Sequence, residues 1–309
     1  MTDTSEEKMQ RKKIFKTGIF IICLIAAAYF GVRMAVLMSA PFQHVNTGNE
    51  IDRVEVNNGN VVINVLVMGL DKDETRTDTL IFMSYNSANG KCFMMSIPRD
   101  TYVHINGNRV LINEAYTHGG AEATIKKVKE LINLPVNYYV VFTFQDFRDV
   151  IDGLGGVEFD VRPQGYHYDD PYQDLHINIP GGHQVLDGEK AEGLVRFRND
   201  YAMADLDRVE VQRQFVKAVI EQKLNKKYIR AIPKIYASLS DSLKSNLSLD
   251  EILDYSKEIL SAGVTSFDMY TMPYTISGMH VLPDEEGIKA LVDQYKADSQ
   301  AALVENEQK

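Results

Sequence analysis

Apolar and polar positions divide the chain into three regimes. Residues 17–32 carry no charge, running from Thr17 through Ile19-Phe20-Ile21-Ile22 to Val32, and beyond Arg33 the apolar stretch continues to Met38. A spanning helix needs about 20 apolar residues. This run reaches that length when Arg33 lies at the outer interface with its charged tip among the headgroups. Residues 39–60 are polar, lack periodicity and read as a linker. From Val61 the pattern tightens. Residues 61–70 form a near-continuous apolar run of strand length, as a centrally buried strand requires. Residues 80–85 supply a second strand, Asn86-Ser87-Ala88-Asn89-Gly90 a turn, and residues 91–98 a third strand, which together make a hairpin.

Farther along, Ile125, Val128, Leu131 and Ile132 recur at helical spacing within residues 121–134, with lysines between them. A strand is expected over residues 137–144, a short helix over 145–154 stopped by Gly155-Gly156, and a strand over 157–161. Residues 162–187 are rich in Tyr, Asp, His and Gly and read as one long polar loop. Helices follow over residues 188–196, 207–226, 229–239 and 248–262, then a strand over 267–274 and a terminal helix over 286–305. No internal repeat or low-complexity tract interrupts the series. The pattern predicts a single mixed α/β domain, a central sheet flanked by helices, over residues 61–309. Before it stand a cytoplasmic N-terminus (1–16), a transmembrane helix (17–38) and the linker (39–60).

Charge fixes the orientation. Arg11-Lys12-Lys13 and Lys16 precede the apolar run, which places the N-terminus inside and the folded domain outside the cell membrane, single-pass. Ser39-Ala40 offers small residues for signal cleavage, but Met38 stands where a third small residue is wanted and Pro41 follows the cut, so the anchor is expected to remain. A formal net charge of −10 excludes a general nucleic-acid binder, which needs a basic face, while leaving room for a local basic pocket. The two cysteines, Cys23 in the apolar run and Cys92 in a strand, make neither a disulfide nor a thiolate metal site.

Candidate chemistry gathers at segment ends. Gly69-Leu70-Asp71 closes the first strand and Arg76-Thr77-Asp78-Thr79 opens the second, so Asp71 and Asp78 can meet at one sheet edge. Two carboxylates sharing a site repel unless a cation or proton lies between them, and a few hard oxygens with open positions suit Mg²⁺. Capping of the intervening turn explains the same residues equally well. Arg99, in Ser96-Ile97-Pro98-Arg99-Asp100-Thr101, projects at the same edge if the third strand neighbours the first two. Arg196 and Arg198 face one way in extended backbone, and Arg208 and Gln212 share one helix face. Arginine is the preferred residue for two-pronged phosphate recognition; each of these alone reads as a solvated charge.

The segments at Asn64–Asp71, Arg76–Thr79, Ser96–Thr101 and Ile112-Asn113-Glu114-Ala115-Tyr116 resemble, in order and spacing, the LytR-CpsA-Psr family. So do Gly155-Gly156-Val157, Leu186-Asp187-Gly188-Glu189-Lys190-Ala191, and Val195-Arg196-Phe197-Arg198 leading to Asp205, Arg208 and Gln212. The resemblance spans residues 61–225 and implies a transferase that moves a polyprenyl-pyrophosphate-linked polysaccharide, of the teichoic acid or capsular class, onto peptidoglycan. It implies Mg²⁺ at Asp71 and Asp78, and a pyrophosphate clamp of Arg76, Arg99, Arg196, Arg198, Arg208 and Gln212. Asp205 joins Asp71, Arg76, Asp78 and Arg99 in the implied catalytic set, with the base either Asp71 or Asp205. Two positions depart from the family pattern. Leu111 stands where many relatives carry Lys, with Arg109 two residues earlier, and Val211 where many carry Arg, with Arg213 just after. A hydrolase of polyprenyl pyrophosphates and a non-enzymatic wall-binding regulatory module remain the alternative readings.

Overall fold

The computed structural model describes residues 50–57, 60–171, 175–197, 204–239, 242–277 and 280–307. The expected anchor at 17–38 and the cytoplasmic segment before it lie outside the described residues. Among the described residues, no helix is long and apolar enough to cross a membrane.

The first strands are β1 (Glu55–Asn57), β2 (Asn60–Leu70), β3 (Thr77–Asn86) and β4 (Lys91–Ser96), followed by the hairpin β5 (Tyr102–Ile105) and β6 (Asn108–Leu111). Then come α1 (Ala115–Ile132), β7 (Tyr138–Phe142), α2 (Phe144–Gly153), β8 (Val157–Val161), β9 (Tyr166–Asp170), β10 (Leu175–Ile179) and β11 (Gly182–Leu186). The C-terminal half adds α3 (Gly188–Arg196), α4 (Ala204–Lys223), α5 (Lys226–Ile229), α6 (Ile232–Leu239), β12 (Lys244–Ser245) and α7 (Leu249–Ala262). Last are β13 (Ser266–Thr271), the hairpin β14 (Tyr274–Ser277) and β15 (His280–Pro283), and α8 (Glu285–Glu307).

The central sheet runs β12-β7-β2-β3-β4-β13, with β1 also paired to β2. β2 is parallel to β7 and β4 to β13, while β3 runs antiparallel to both of its neighbours, β2 and β4. Side chains alternate across a strand, and the alternation here divides the work. Leu66 and Met68 of β2, with Leu80 and Phe82 of β3, enter one core beneath α1 and α8, which supply Ile125, Val128, Ile132, Ile288 and Val292. The opposite face is closed at one end, where Ile63, Tyr85 and Tyr138 pack against Tyr255 and Ile259 of α7. At the other end of that face, Val67, Gly69, Thr79, Ile81 and Met83 line an open cavity.

Three expectations need correction. Residues 39–60 do not serve wholly as a linker: β1 pairs with β2 in antiparallel register, and Asp52 accepts the Val136 amide at 2.9 Å. Residues 162–187 are not one loop but three strands, β9 paired to β10 and β11 to β8. With α2, α3 and α4 they enclose a separate core of Val157, Ile177, Leu194, Phe197 and Phe215. The helix expected from residue 121 starts at Ala115 and bends at Gly119-Gly120, where Gly120 takes φ 62°.

Cys92 on β4 lies opposite Tyr85 and beside Phe267. Burial, helped by the negative charge of Asp268, pushes its thiol up to about 11. At pH 8 its thiolate is about a hundredfold scarcer than for an ordinary thiol, and the greater nucleophilicity of a high-pKa thiolate recovers part of that. Alkylation by iodoacetamide is expected to be about tenfold slower in the folded chain than in urea. Peptide-resolved mass spectrometry separates it from Cys23; equal rates in both states would show an open Cys92.

Candidate functional site

The site forms where β2, β3, β4 and β7 end together. Gly69 pairs with Phe142 across the β2–β7 boundary, and a Cβ at Gly69 would lie 2.9 Å from the Phe142 ring, so any larger residue would push that ring aside. Asp71 follows directly. Its Oδ1 accepts the amides of Thr75 (2.9 Å) and Arg76 (3.2 Å), closing the loop between β2 and β3. Thr117 of α1 fastens that loop from outside, donating to the Thr75 carbonyl at 2.6 Å. The turn-capping reading of Asp71 therefore holds for one of its two oxygens.

Asp78 reaches the cavity because of a defect in the ladder. Leu70 pairs with Thr77 and Gly69 with Thr79, leaving Asp78 as an extra residue between them. In regular alternation Asp78 would point with Leu80 and Phe82 into the apolar core. The bulge re-aims it, as such bulges do beside functional sites. There it meets the Nη1 of Arg99, which the turn after β4 presents, while Asp100 stands 3.6 Å from Arg99 Nε. The Asp78 and Arg99 side chains are 29% and 27% exposed, so the pair is partly withdrawn from solvent yet open to a ligand.

The opposite wall comes from helices. α2 starts with a capping box, Thr143 and Asp146 each accepting the other's amide. α3 starts at the Asp187 cap and ends at Arg196. Arg196 donates to Glu192 Oε1 at 2.6 Å, one helical turn back, and its guanidinium lies 4.2 Å above the Phe144 ring. Arg148 of α2 donates to the other oxygen of Glu192 and, through Nη2, to Gln145 Oε1 at 2.7 Å. Gln212 of α4 donates to the Val195 carbonyl at 2.8 Å.

Between the walls lies a cavity of about 780 Å³. Asp71, Lys72, Asp73, Asp78, Thr79, Arg99, Asp146, Arg196 and Gln212 supply its polar residues; Val140, Phe142, Phe147, Leu175, Phe215 and Leu243 are among its apolar ones. The structure thus brings together five residues picked out from the sequence: Asp71, Asp78, Arg99, Arg196 and Gln212. Arg76 is not among those lining the cavity; its side chain is 54% exposed and stands 3.9 Å from Glu114. Arg198 and the side chains of Asp205 and Arg208 lie outside the described residues. The extended geometry expected at Arg196 is helical instead, since Arg196 is the last residue of α3.

Neither neighbour of the two departures fills the gap. Arg109 stacks 4.0 Å over Tyr102 on the β5–β6 hairpin. Arg213 donates to the Met269 carbonyl at 3.0 Å, and Val211 packs into the second core. Residues the sequence reading missed are Lys72, Asp73 and the pair Arg148–Glu192. Lys72 and Asp73 sit beside Asp71 in a loop whose composition reads as plain solvated turn.

The arrangement can hold an amphiphile with a strongly anionic head and a long apolar tail. Asp71 and Asp78 offer hard oxygens on one side of the mouth, and Arg99 and Arg196 offer guanidinium donors, the side-chain type best matched to phosphate oxygens. Among the described residues no three His, Cys, Asp or Glu side chains converge into a metal cage. A pair of carboxylates completed by phosphate oxygens and water is the donor set Mg²⁺ prefers.

Comparison with known proteins identifies relatives of the same fold. The polyisoprenyl-teichoic acid–peptidoglycan teichoic acid transferase TagU of Bacillus subtilis strain 168 is 29% identical over 269 residues, 84% of this chain and 86% of that protein. The crystal structure of B. subtilis TagV superposes with a TM-score of 0.64 at 25% identity, covering 78% of this chain and 97% of that one. TagT bound to LI-WTA shares the fold, with a TM-score of 0.63 at 23% identity over 85% of this chain and 98% of that one. The family model described as LytR_cpsA_psr matches residues 30–305. The chain belongs to the LytR-CpsA-Psr family.

Proposed function

We propose that this chain transfers a glycopolymer, of the teichoic acid or capsular polysaccharide class, from a polyprenyl-pyrophosphate carrier onto peptidoglycan through a phosphodiester bond. The observation that carries the reading is a single cavity with paired carboxylates and arginines among its polar residues and an otherwise apolar lining. A pyrophosphate sits against the charges while the prenyl tail enters the apolar part. The relationship to TagU, named as a teichoic acid transferase, supports the same chemistry.

In the reaction a peptidoglycan hydroxyl attacks the polymer-proximal phosphorus. A new O–P bond forms, the bond to the lipid-side phosphate breaks, and polyprenyl phosphate leaves. Such a step calls for positioning and charge neutralisation rather than a protein nucleophile. Arg99 and Arg196 orient the pyrophosphate oxygens and stabilise charge as it shifts to the leaving group. Asp71 or Asp205 takes the hydroxyl proton. Asp71 and Asp78 would hold Mg²⁺, which when bound neutralises phosphate charge. Arg76, Arg198, Arg208 and Gln212 are assigned to the clamp by family position. The apolar interior extends beyond the Phe and Val residues of β7 and α2, since α4 and Leu243 also face it. In this reading residues 17–38 anchor the chain in the cell membrane and the enzyme works on the outer side, where peptidoglycan is found.

The test uses the full chain in detergent with a lipid-linked teichoic acid oligomer, Mg²⁺ and peptidoglycan fragments. Adduct and polyprenyl phosphate are expected in equal amounts. Release of polymer phosphate without adduct would make the chain a hydrolase, and absence of turnover would make it a binder. A reporter fused after Lys309 reads the compartment, and activity inside the cell would contradict it.

A further inference from the structure

Among the described residues, the most basic stretch takes no part in the cavity. Between Gln222 and Ser240 the sequence places Lys223, Lys226, Lys227, Arg230 and Lys234 with no carboxylate, in a chain of net charge −10. These residues close α4 and form α5 and α6. Lys227, Arg230 and Lys234 are exposed. Among the described residues, neither they nor Lys223 have an ion-pair partner, whereas Lys217 before them pairs with Glu221 and Lys257 after them with Asp254. The helices packed against the segment, α2 and α7, bring Asp149, Asp152, Asp250, Glu251, Asp254 and Glu258. These carboxylates lower the local field without pairing to any of the four cations.

Strand direction locates the segment. The mouth lies where β2 and β7 end. From there α2 starts, with Phe144 under Arg196, and runs to Gly153, where Ile235 of α6 packs. α4 likewise passes from Gln212 at the cavity to Gln222, whose side chain bonds the amide and carbonyl of Glu158, just beyond α2. The basic segment therefore sits toward the strand-start edge, at the apolar end of the cavity: Val150 lines the cavity and packs with Ile232 and Ile235. The chain enters the domain at that same edge. There the Asp52 amide donates to the Val136 carbonyl at 2.8 Å, and Asn137 donates to the Asp52 and Arg53 carbonyls. On the reading of residues 17–38 as a membrane anchor, on which this inference rests, residues 39–49 let the domain stand at most about 40 Å from the bilayer. Half-buried Tyr228, Ile229 and Ile232 lie between the cations. That mixture suits a lipid interface better than a fully hydrated polyanion. We propose that residues 223–234 dock the domain on the anionic headgroups of the bilayer, turning the apolar end of the cavity toward the membrane that supplies the prenyl chain.

The test uses the full chain in nanodiscs of phosphatidylglycerol or of phosphatidylcholine. Lysines are acetylated with a neutral, water-soluble reagent and read peptide by peptide. A single cation near an anionic surface is worth roughly fivefold in partitioning. Lys223, Lys227 and Lys234 are therefore expected to react at least about fivefold more slowly in phosphatidylglycerol than in phosphatidylcholine. Lys289, 78% exposed on α8, should react equally in both. The difference should vanish at about 1 M salt, where charges are screened within about 3 Å. In the variant Lys227→Glu/Arg230→Glu/Lys234→Glu, Lys223 should lose its protection. Lys227→Arg/Lys234→Arg should keep it, which separates charge from damage to the segment. Equal labelling of Lys227 in the two lipids would overturn the proposal and leave the anchor standing. So would protection that appears only when a soluble teichoic acid polymer is added, which would assign the segment to the polymer. A chain that enters neither kind of nanodisc refutes the anchor, and the docking surface with it.

Discussion

Asp78→Ala should lower transfer by about 10²–10³-fold, the range seen when one preorganised electrostatic group is removed from an active site. Asp78 is the extra residue of the β2–β3 bulge, and truncating it withdraws a carboxylate from the mouth of the cavity. Asp100, 3.6 Å from Arg99 Nε, stays beside the guanidinium. Because the side chain already stands outside the core, the fold should survive, and circular dichroism and the melting temperature should stay close to those of the unaltered chain. Asp71 needs a subtler change, since its Oδ1 closes the loop by accepting two amides. Asp71→Asn keeps that acceptor and removes the charge, so it separates capping from cation binding. Arg99→Lys should recover little of what Arg99→Ala loses, since an ammonium lacks the planar pair of donors. Calorimetric titration of Mg²⁺ beside the activity assay decides the matter. Unchanged Mg²⁺ affinity in both Asp71→Asn and Asp78→Ala would remove the metal from this site.

Gly188→Ala is expected to destabilise the chain by about 1–3 kcal/mol, the usual cost of overpacking. A Cβ at Gly188 would fall 2.5 Å from the Arg148 carbonyl oxygen and 2.7 Å from the Arg148 Cα. These are backbone atoms of α2, which cannot swing aside as a side chain would. The Gly188 amide also donates to Asp152 Oδ1 at 2.8 Å, so the start of α3 is pinned to the end of α2. For a domain of this size the change corresponds to a fall of roughly 2–12 °C in Tm. Unaltered Tm would mean that the two helices slide apart at no cost.

Much of the central sheet was legible because its strands are apolar on both faces. Residues 61–70 and 80–85 show no polar side, and Asn86 to Gly90 is a turn by composition. The lobe over residues 162–187 hid its strands under polar composition. The signal was there in residues 175–179, where Leu175, Ile177 and Ile179 are buried and His176 and Asn178 exposed, but the run is five residues long and flanked by Tyr, Asp, His and Gly. β1 was hidden in the same way, by a polar stretch that pairs through its backbone rather than through apolar side chains. In the site, Asp71, Asp78, Arg99 and Arg196 were readable as charges at segment ends. The bulge that turns Asp78 out of the core was not, because an extra residue in one strand leaves no mark on that strand's own composition. Glu192 could not be read either. On an amphipathic helix a glutamate looks solvated, and its burial is explained by two guanidiniums, Arg196 one turn on and Arg148 from another helix.

The cavity's apolar lining is drawn from three separately packed cores: Leu70 from the sheet and α1, Leu175 and Phe215 from the β8–β11 lobe, and Leu243 from the α6–α7 side. It is a seam between finished bodies rather than a hole bored through one. Each core keeps its own contacts if the seam widens, so making room for a guest does not require any of them to melt. A long apolar chain can therefore be laid in sideways, like a cord pressed into a slot, instead of being threaded end-first. Once seated, it becomes the layer that the three cores share, and the empty and loaded molecules should differ more in rigidity than in shape.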